Sequence, residues 1–279
     1  MKPLLKWAGA KRWHVPTVER LYAAQTREGL RRVVELFAGS AAISFALAPL
    51  RCHLNDANPH LINFYREVQA RLDFDGFDLS SSESLYYDYR AILNKRIREG
   101  ACADRRCAQL FYYLNHHGFN GLFRVNKRGE YNVPFAAGRS AHAFDADEYR
   151  NLFTCGWTLS NDDFADVLLE PDDFVYADPP YDSVFTDYTE DGWTRDRSEE
   201  LATMLRFHPG PVILMNSGTP FILELYQDLG YTVTLVESGQ RMQQSRGRTD
   251  VIPEVMATNF GVDFADGAPM IEVADEAPV

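Results

Sequence analysis

Short apolar runs alternate with longer amphipathic segments in two stretches of the chain. Runs rich in β-branched residues predict strands, and apolar positions three or four residues apart predict helices. The predicted strands are 33–37, 51–55, 174–177, 211–216, 231–236 and 254–259, and the predicted helices are 16–25, 42–48, 198–206 and 220–229. This alternation is typical of an α/β sheet with helices on both faces.

The pattern changes between residues 57 and 144, where helical stretches follow one another without intervening strands. Residues 83–98 and 104–116 predict helices. The segment 117–135 is rich in Gly and Asn and predicts a β-hairpin that turns at Lys127-Arg128-Gly129.

These changes divide the chain into predicted domains. We expect a discontinuous core domain, 1–56 and 145–261, interrupted by a mostly helical inserted domain, 57–144. Residues 262–279 include acidic residues and no basic ones, and we predict that they form a disordered tail.

Asp178-Pro179-Pro180-Tyr181 follows directly after the apolar run 174–177. The amino group of a nucleobase is a poor nucleophile because its lone pair is delocalised into the ring. It becomes reactive when acceptors hold both of its N–H groups. Asp178 and the rigid Pro179 carbonyl can be those acceptors, and Tyr181 offers a face on which a base can stack. The alternative interpretation is an ordinary Asp-Pro turn.

A second strand end carries small residues. After the strand 33–37, Gly39 and Ser40 lead into the helix 42–48, so the backbone can approach a ligand closely. Asp56 comes 17 residues after Gly39, near the spacing at which an acid binds ribose hydroxyls. Two interpretations are open: a cofactor turn with a ribose-binding acid, or an ordinary βα turn followed by a helix N-cap.

The N-terminal segment 5–13 combines tryptophan, glycine and lysine. Trp7 can cover a nucleoside, and the lysines that flank it can reach a carboxylate. A basic N-terminal arm is the alternative interpretation.

These segments together resemble the DNA adenine methylase family, the α group of S-adenosylmethionine-dependent amino-methyltransferases. Four blocks match in the family's order, at 5–13, 33–47, 54–68 and 173–182, and a fifth, 111–135, is similar to the family's DNA-reading segment. The resemblance implies a Rossmann-like methyltransferase core of the α/β class with an inserted, mostly helical DNA-recognition domain carrying the β-hairpin. It also implies direct methyl transfer from S-adenosylmethionine to N6 of a flipped-out adenine, with a GATC-type site as the candidate sequence.

The resemblance also assigns roles to residues. Those implied to act on the base are Asp178, Pro179, Pro180 and Tyr181. Those implied to line the donor are Trp7, Gly9, Lys11, Glu35, Phe37, Gly39, Ser40, Asp56, Asp163, Phe164 and Asp178. Lys11 is expected near the methionine carboxylate of the donor, Asp56 at its ribose, and Asp163 with Phe164 at its adenine.

The residues expected to contact DNA are Asn115, His117, Phe119, Asn120, Arg124, Asn126, Lys127, Arg128, Asn132 and Arg139. Phe119 is expected to wedge into the duplex beside the target base, and Arg124 to reach a guanine edge. Without the resemblance, Phe119 is interpreted as a core aromatic and the basic residues as a solvated turn.

Composition adds constraints. The net charge of −12 is unusual for a DNA-binding protein. Residues 57–144, however, carry 12 Lys and Arg against 9 Asp and Glu, which concentrates positive charge in the predicted DNA-recognition domain. The four cysteines form no C-x-x-C pair, so we expect neither a metal site nor a disulfide framework. No segment approaches the roughly 20 apolar residues needed to cross a bilayer, and we expect a cytoplasmic protein.

We therefore expect a site-specific DNA adenine-N6 methyltransferase that acts on double-stranded DNA as a monomer, with a cognate restriction nuclease as a candidate partner. Cytosine-N4 methylation is an alternative, because that amino group can use the same acceptors. A catalytically silent DNA-binding protein on the same scaffold is an alternative from another class, and turnover separates the two.

Overall fold

The computed structural model describes residues 1–26, 31–153, 156–181, 193–236, 253–262 and 270–272. The chain forms two compact units: the first comprises Met1–Val15 and Ala38–Asp163, and the second comprises Pro16–Phe37 and Phe164–Val279. These units are not the domains predicted from the sequence, and the predicted domain boundaries stay a prediction.

The described helices are α1 (Val15–Gln25), α2 (Ala42–Leu47), α3 (Pro59–Gln69), α4 (Glu83–Arg98), α5 (Arg105–His117), α6 (Ala146–Phe153), α7 (Arg195–Arg206) and α8 (Pro220–Asp228). The described strands are β1 (Val33–Glu35), β2 (Cys52–Asn55), β3 (Trp157–Ser160), β4 (Phe174–Ala177), β5 (Val212–Ser217), β6 (Thr232–Val236), β7 (Glu254–Thr258) and β8 (Met270–Glu272).

A mixed sheet organises the second unit, with its described strands in the order β1-β4-β5-β7-β6-β8. The strands β1, β4 and β5 are parallel, whereas β7 runs antiparallel to both β5 and β6. Every residue of β4 and β5 is buried, which explains why these strands read as continuous apolar runs rather than alternating ones. Side chains of α7 and α8 pack on the sheet to form the core.

Helices dominate the first unit, which also contains the parallel pair β2 and β3. Both α3 and α4 pack against α5. Their starting points follow from side-chain caps: Asn58 Oδ1 accepts from His60 N before α3, Ser82 caps α4, and Asp104 caps α5. The largely buried α5 is therefore the central helix of this unit.

The predicted hairpin is confirmed. Its arms are joined by isolated bridges between Gly118 and Phe135 and between Val125 and Tyr131. At the tip, the Asn126 N–H donates to Glu130 O at 2.8 Å, and Gly129 has a φ of +74°. The turn thus needs glycine where the sequence places it.

The α/β fold class is confirmed, but four of the described helices and strands were not among the predicted ones. These are α3, α6, β3 and β8. The strand β8 pairs with β6, so the prediction of a disordered tail does not hold for 270–272, where backbone pairing with an existing sheet edge supplies the order. In the part of the chain that is described, no helix has the length and apolar character to span a bilayer.

A buried ion pair in the second unit joins Arg32, the residue before β1, to Asp173, the residue before β4. Arg32 Nε and Nη2 donate to the two carboxylate oxygens of Asp173 at 2.8 and 2.6 Å. The Asp173 side chain is 0% exposed, so removing its partner leaves a buried charge.

We expect Arg32→Leu to lower the free energy of unfolding by about 3–5 kcal/mol. Urea unfolding would measure this loss. Arg105→Leu is the control, because the Arg105–Asp73 pair is exposed and should contribute less than about 1 kcal/mol. Equal losses in the two variants would contradict the structural role of Arg32.

Candidate active site

The C-terminal end of β4 carries the predicted catalytic segment. The strand ends at Ala177, and Asp178 follows, half-buried. Pro179 is buried, Pro180 is exposed and Tyr181 is half-buried. Ligands of open α/β sheets bind outside the carboxyl ends of parallel strands, which is where this segment lies.

Carboxylates from neighbouring strands gather at this end of the sheet. The pKa of Tyr176 is held well above its usual range, first by burial and then by the charges of Asp178, Glu35 and Glu254. The Tyr181 hydroxyl donates to Glu254 Oε2 at 2.8 Å. The structure thus brings the predicted residues Glu35, Asp178 and Tyr181 into one cluster.

Glu254 belongs to this cluster but was missed by the sequence analysis. Burial, the charge of Asp178 and the bond to Glu254 raise the pKa of Tyr181 well above its usual value, so its hydroxyl stays a hydrogen-bond donor. The sequence signal was weak: Glu254 is an acid at the first position of a strand whose next three residues are apolar.

An aromatic cluster forms a second feature of this unit. The Phe37 ring lies 5.7 Å from Phe164 and 5.3 Å from Trp193, between centroids, and Phe164 lies 5.5 Å from Trp193. The Arg197 guanidinium lies 4.2 Å from the Phe164 centroid. Phe37 and Phe164 were predicted to contact the donor, whereas no sequence pattern distinguishes Trp193 from a core tryptophan.

In the first unit, the structure brings Trp7, Gly39 and Asp56 together. The Gly39 N–H donates to Asp56 Oδ2 at 3.0 Å, and the Asn58 N–H donates to Asp56 Oδ1 at 2.9 Å. A Cβ atom on Gly39 would lie 2.8 Å from Trp7 Cδ1, and the Gly39 carbonyl accepts from the Tyr65 hydroxyl at 2.8 Å. Gly39, in the turn after β1, is therefore held by contacts with Asp56, Trp7 and Tyr65.

Asp56 is held in place but retains binding capacity. Burial raises its pKa, and the two backbone N–H groups act in the opposite direction. Each carboxylate oxygen has a second lone pair, so both can still accept from a ligand hydroxyl. The cap before α3 is Asn58, so the interpretation of Asp56 as a helix N-cap is wrong, and its ribose-binding role stays a prediction.

The other predicted donor residues of this unit differ in exposure. Lys11 is buried, and its Nζ donates to Gly9 O at 2.8 Å. Ser40 is also buried, and Asp163 is exposed. Gly9 has a φ of +79°, a backbone conformation that favours glycine.

The hairpin presents most of the predicted DNA-contacting residues at the surface. Phe119, Asn120, Arg124, Lys127 and Arg128 are exposed, and Asn126, Asn132 and Arg139 are half-buried. Phe119 is 47% exposed, so its interpretation as a core aromatic is wrong.

Two predicted DNA contacts require correction. Asn115 and His117 are buried on α5. The Asn115 side chain bonds to backbone atoms of Lys6 and Gly121, and His117 Nε2 lies 3.3 Å from Leu79 O. Both side chains face the interior of the unit, and we assign them to its support rather than to contact with DNA.

Residues 7–243 match the family described as D12 class N6 adenine-specific DNA methyltransferase. The chain belongs to this family. It is 31% identical to the retron Ec67 DNA adenine methylase of Escherichia coli, over 93% of this chain and 92% of that protein. It is 30% identical to the type II methyltransferase M1.LlaDCHI of Lactococcus lactis subsp. cremoris, over 94% and 96% of the two chains. The DNA adenine methylase of E. coli K12 is 31% identical, over 81% and 84%.

Membership of the D12 class confirms the predicted family and activity. The chain is a DNA adenine-N6 methyltransferase, and the family assignment does not favour cytosine-N4 methylation or a silent DNA-binding protein. A methyltransferase of this kind requires a methyl donor.

Proposed function

We propose that the chain transfers a methyl group from S-adenosylmethionine to N6 of an adenine turned out of double-stranded DNA, with Asp178 as the principal acceptor. The observation that carries this proposal is the position of Asp178, half-buried after β4 and beside a proline whose carbonyl is held rigidly. S-adenosylmethionine supplies an electrophilic methyl group when bound.

Asp178 and the Pro179 carbonyl each accept one N–H of the adenine amino group. This arrangement draws the nitrogen towards a tetrahedral geometry and directs its lone pair away from the ring. Positive charge develops on N6 as the methyl group leaves the donor sulfur and bonds to the nitrogen. The Asp178 carboxylate stabilises this charge until the nitrogen loses one of its two protons. The enzyme forms no covalent intermediate.

Each unit by itself has features that suit S-adenosylmethionine. In the first unit, Gly39 allows close backbone approach and Asp56 offers lone pairs to ribose hydroxyls, with Trp7 alongside. In the second unit, Phe37 is half-buried and offers aromatic surface for the donor's adenine, while Phe164, which is 3% exposed, packs against the Phe37 ring. We propose the same role for Trp193, which adjoins both rings.

For DNA, we propose that Phe119 enters the duplex beside the flipped base and that Arg124 reads a guanine edge. The exposure of both side chains supports this. Arg124 Nε donates to Asn132 Oδ1 at 2.7 Å, which orients the guanidinium before DNA arrives.

The test is methyl transfer from labelled S-adenosylmethionine to unmethylated duplexes with and without a GATC site, followed by mass spectrometry of the nucleosides. We expect N6-methyladenine, formed preferentially in the GATC duplex. Formation of N4-methylcytosine would contradict adenine as the target base. Donor binding without any product would contradict the enzymatic function.

The bond between Tyr181 and Glu254 gives a separate prediction. Tyr181→Phe retains the stacking face but loses the hydroxyl that fixes the ring, so we expect kcat to fall roughly tenfold. Tyr181→Ala also removes the stacking surface, worth about 1–3 kcal/mol, and should lower kcat by roughly a further 5- to 150-fold. Steady-state kinetics would measure both. Full activity in Tyr181→Phe would show that the ring alone suffices.

A further inference from the structure

Asn115 connects two segments that are far apart in sequence. Its Oδ1 accepts from Lys6 N at 2.9 Å, and its Nδ2 donates to Lys6 O at 2.6 Å and to Gly121 O at 3.0 Å. Asn115 is 3% exposed and lies on α5. One amide group therefore holds the N–H and the carbonyl of Lys6 and, at the same time, the turn at Gly121.

Further contacts join the same two segments. Lys6 Nζ donates to His116 O at 3.2 Å, and His116 Nε2 lies 2.9 Å from Leu4 O. A Cβ atom on Gly121 would lie 2.4 Å from Lys6 Cβ, so the two backbones are in close contact. Residues 4–6 and the turn 119–121 thus form one packed block.

Each segment leads directly to a proposed binding residue. Lys6 precedes Trp7, which packs against Gly39 at the donor-binding turn. Gly121 follows the exposed residues Phe119 and Asn120. A ligand that orders residues 4–7 therefore also orders the turn 119–121.

We propose that Asn115 is a positioning residue that couples donor binding to DNA binding. The inference rests on the proposed function, namely that Trp7 binds the donor and that Phe119 in the turn 119–121 contacts DNA. Ordering both segments with the first ligand lowers the entropic cost of binding the second, and the effect is reciprocal.

Asn94 provides a matched control. Its Oδ1 accepts from Tyr131 N at 2.8 Å and its Nδ2 donates to Tyr131 O at 3.0 Å, so it makes the same kind of clamp on one backbone residue. This clamp holds the hairpin to α4. Asn94→Ala should weaken DNA binding equally with and without the donor.

The experiment measures the dissociation constant of a duplex oligonucleotide with and without saturating S-adenosylhomocysteine. In the wild type we expect S-adenosylhomocysteine to tighten DNA binding roughly fivefold or more. The ratio of the dissociation constant without S-adenosylhomocysteine to that with it should fall to about 1 in Asn115→Ala. It should stay at the wild-type value in Asn94→Ala. An unchanged ratio in Asn115→Ala, or an equal loss in Asn94→Ala, would overturn the inference.

A measurement on the wild type guards against a variant that fails to fold. S-adenosylhomocysteine alone should slow amide hydrogen exchange in a peptide covering residues 119–122, and no change would overturn the inference. A wild type that binds neither ligand would overturn the proposed function, which is a distinct outcome.

Discussion

Asp178→Ala should lower the rate of methyl transfer by about a hundredfold to a thousandfold, the loss expected when one preorganised group that stabilises a transition state is removed. The variant keeps the Pro179 carbonyl, so one N–H of the adenine amino group is still held. The second N–H loses its acceptor, and no carboxylate remains to stabilise the positive charge on nitrogen. We therefore expect the loss mainly in kcat.

Single-turnover kinetics with labelled donor would measure this loss, because they separate transfer from product release. Asp178→Asn tests the charge separately, since it keeps the size and one acceptor oxygen. Asp172→Ala is the control, because Asp172 is an exposed acid in the turn before β4. Retention of more than about a tenth of the wild-type rate in Asp178→Ala would contradict the proposed role.

Gly39→Ala should weaken S-adenosylhomocysteine binding by at least about tenfold, a loss of roughly 1.4 kcal/mol or more. Gly39 has a φ of +47°, and the added Cβ would lie 2.8 Å from Trp7 Cδ1 and 3.0 Å from Trp7 Nε1. Either Trp7 or the turn must move. A shift of the turn would break the bond from Gly39 N to Asp56.

Gly76→Ala separates crowding from backbone strain. Gly76 has a φ of +68°, and no atom lies within 4 Å of its added Cβ. Both variants carry the left-handed penalty of about 1–2 kcal/mol, but only Gly39→Ala adds overpacking of about 1–3 kcal/mol. Calorimetric titration would measure the affinity for S-adenosylhomocysteine, and urea unfolding would measure the free energy of unfolding. Equal donor affinities in the two variants would contradict the tight turn around Trp7.

In each unit, local sequence patterns predicted the candidate residues that lie at strand ends. Asp178 was found because β4 is a fully buried strand and reads as an unbroken apolar run before the acid. Gly39 and Asp56 were found because a small-residue turn and a spaced acid follow consecutive predicted strands. The hairpin was found because its tip needs a residue with positive φ, and Gly129 provides it.

The remaining parts depend on contacts between distant residues. Glu254 joins the site through Tyr181, 73 positions earlier, and no local pattern records that pairing. Asn115 looked like a polar residue of a DNA-reading segment, but the fold buries it against Lys6, 109 positions away. The strand β3 was missed because three of its four residues are exposed or half-buried, so it shows no apolar run.

The register of the second unit has a consequence for synthesis on the ribosome. Val33 of β1 pairs with Phe174 of β4, so the first strand to leave the ribosome must wait for a partner made about 140 residues later. At about 5–20 residues per second, this delay is on the order of ten seconds. During that time Val33 and Val34 have no partner strand from β4, so the nascent chain should be a client for chaperones that shield apolar segments.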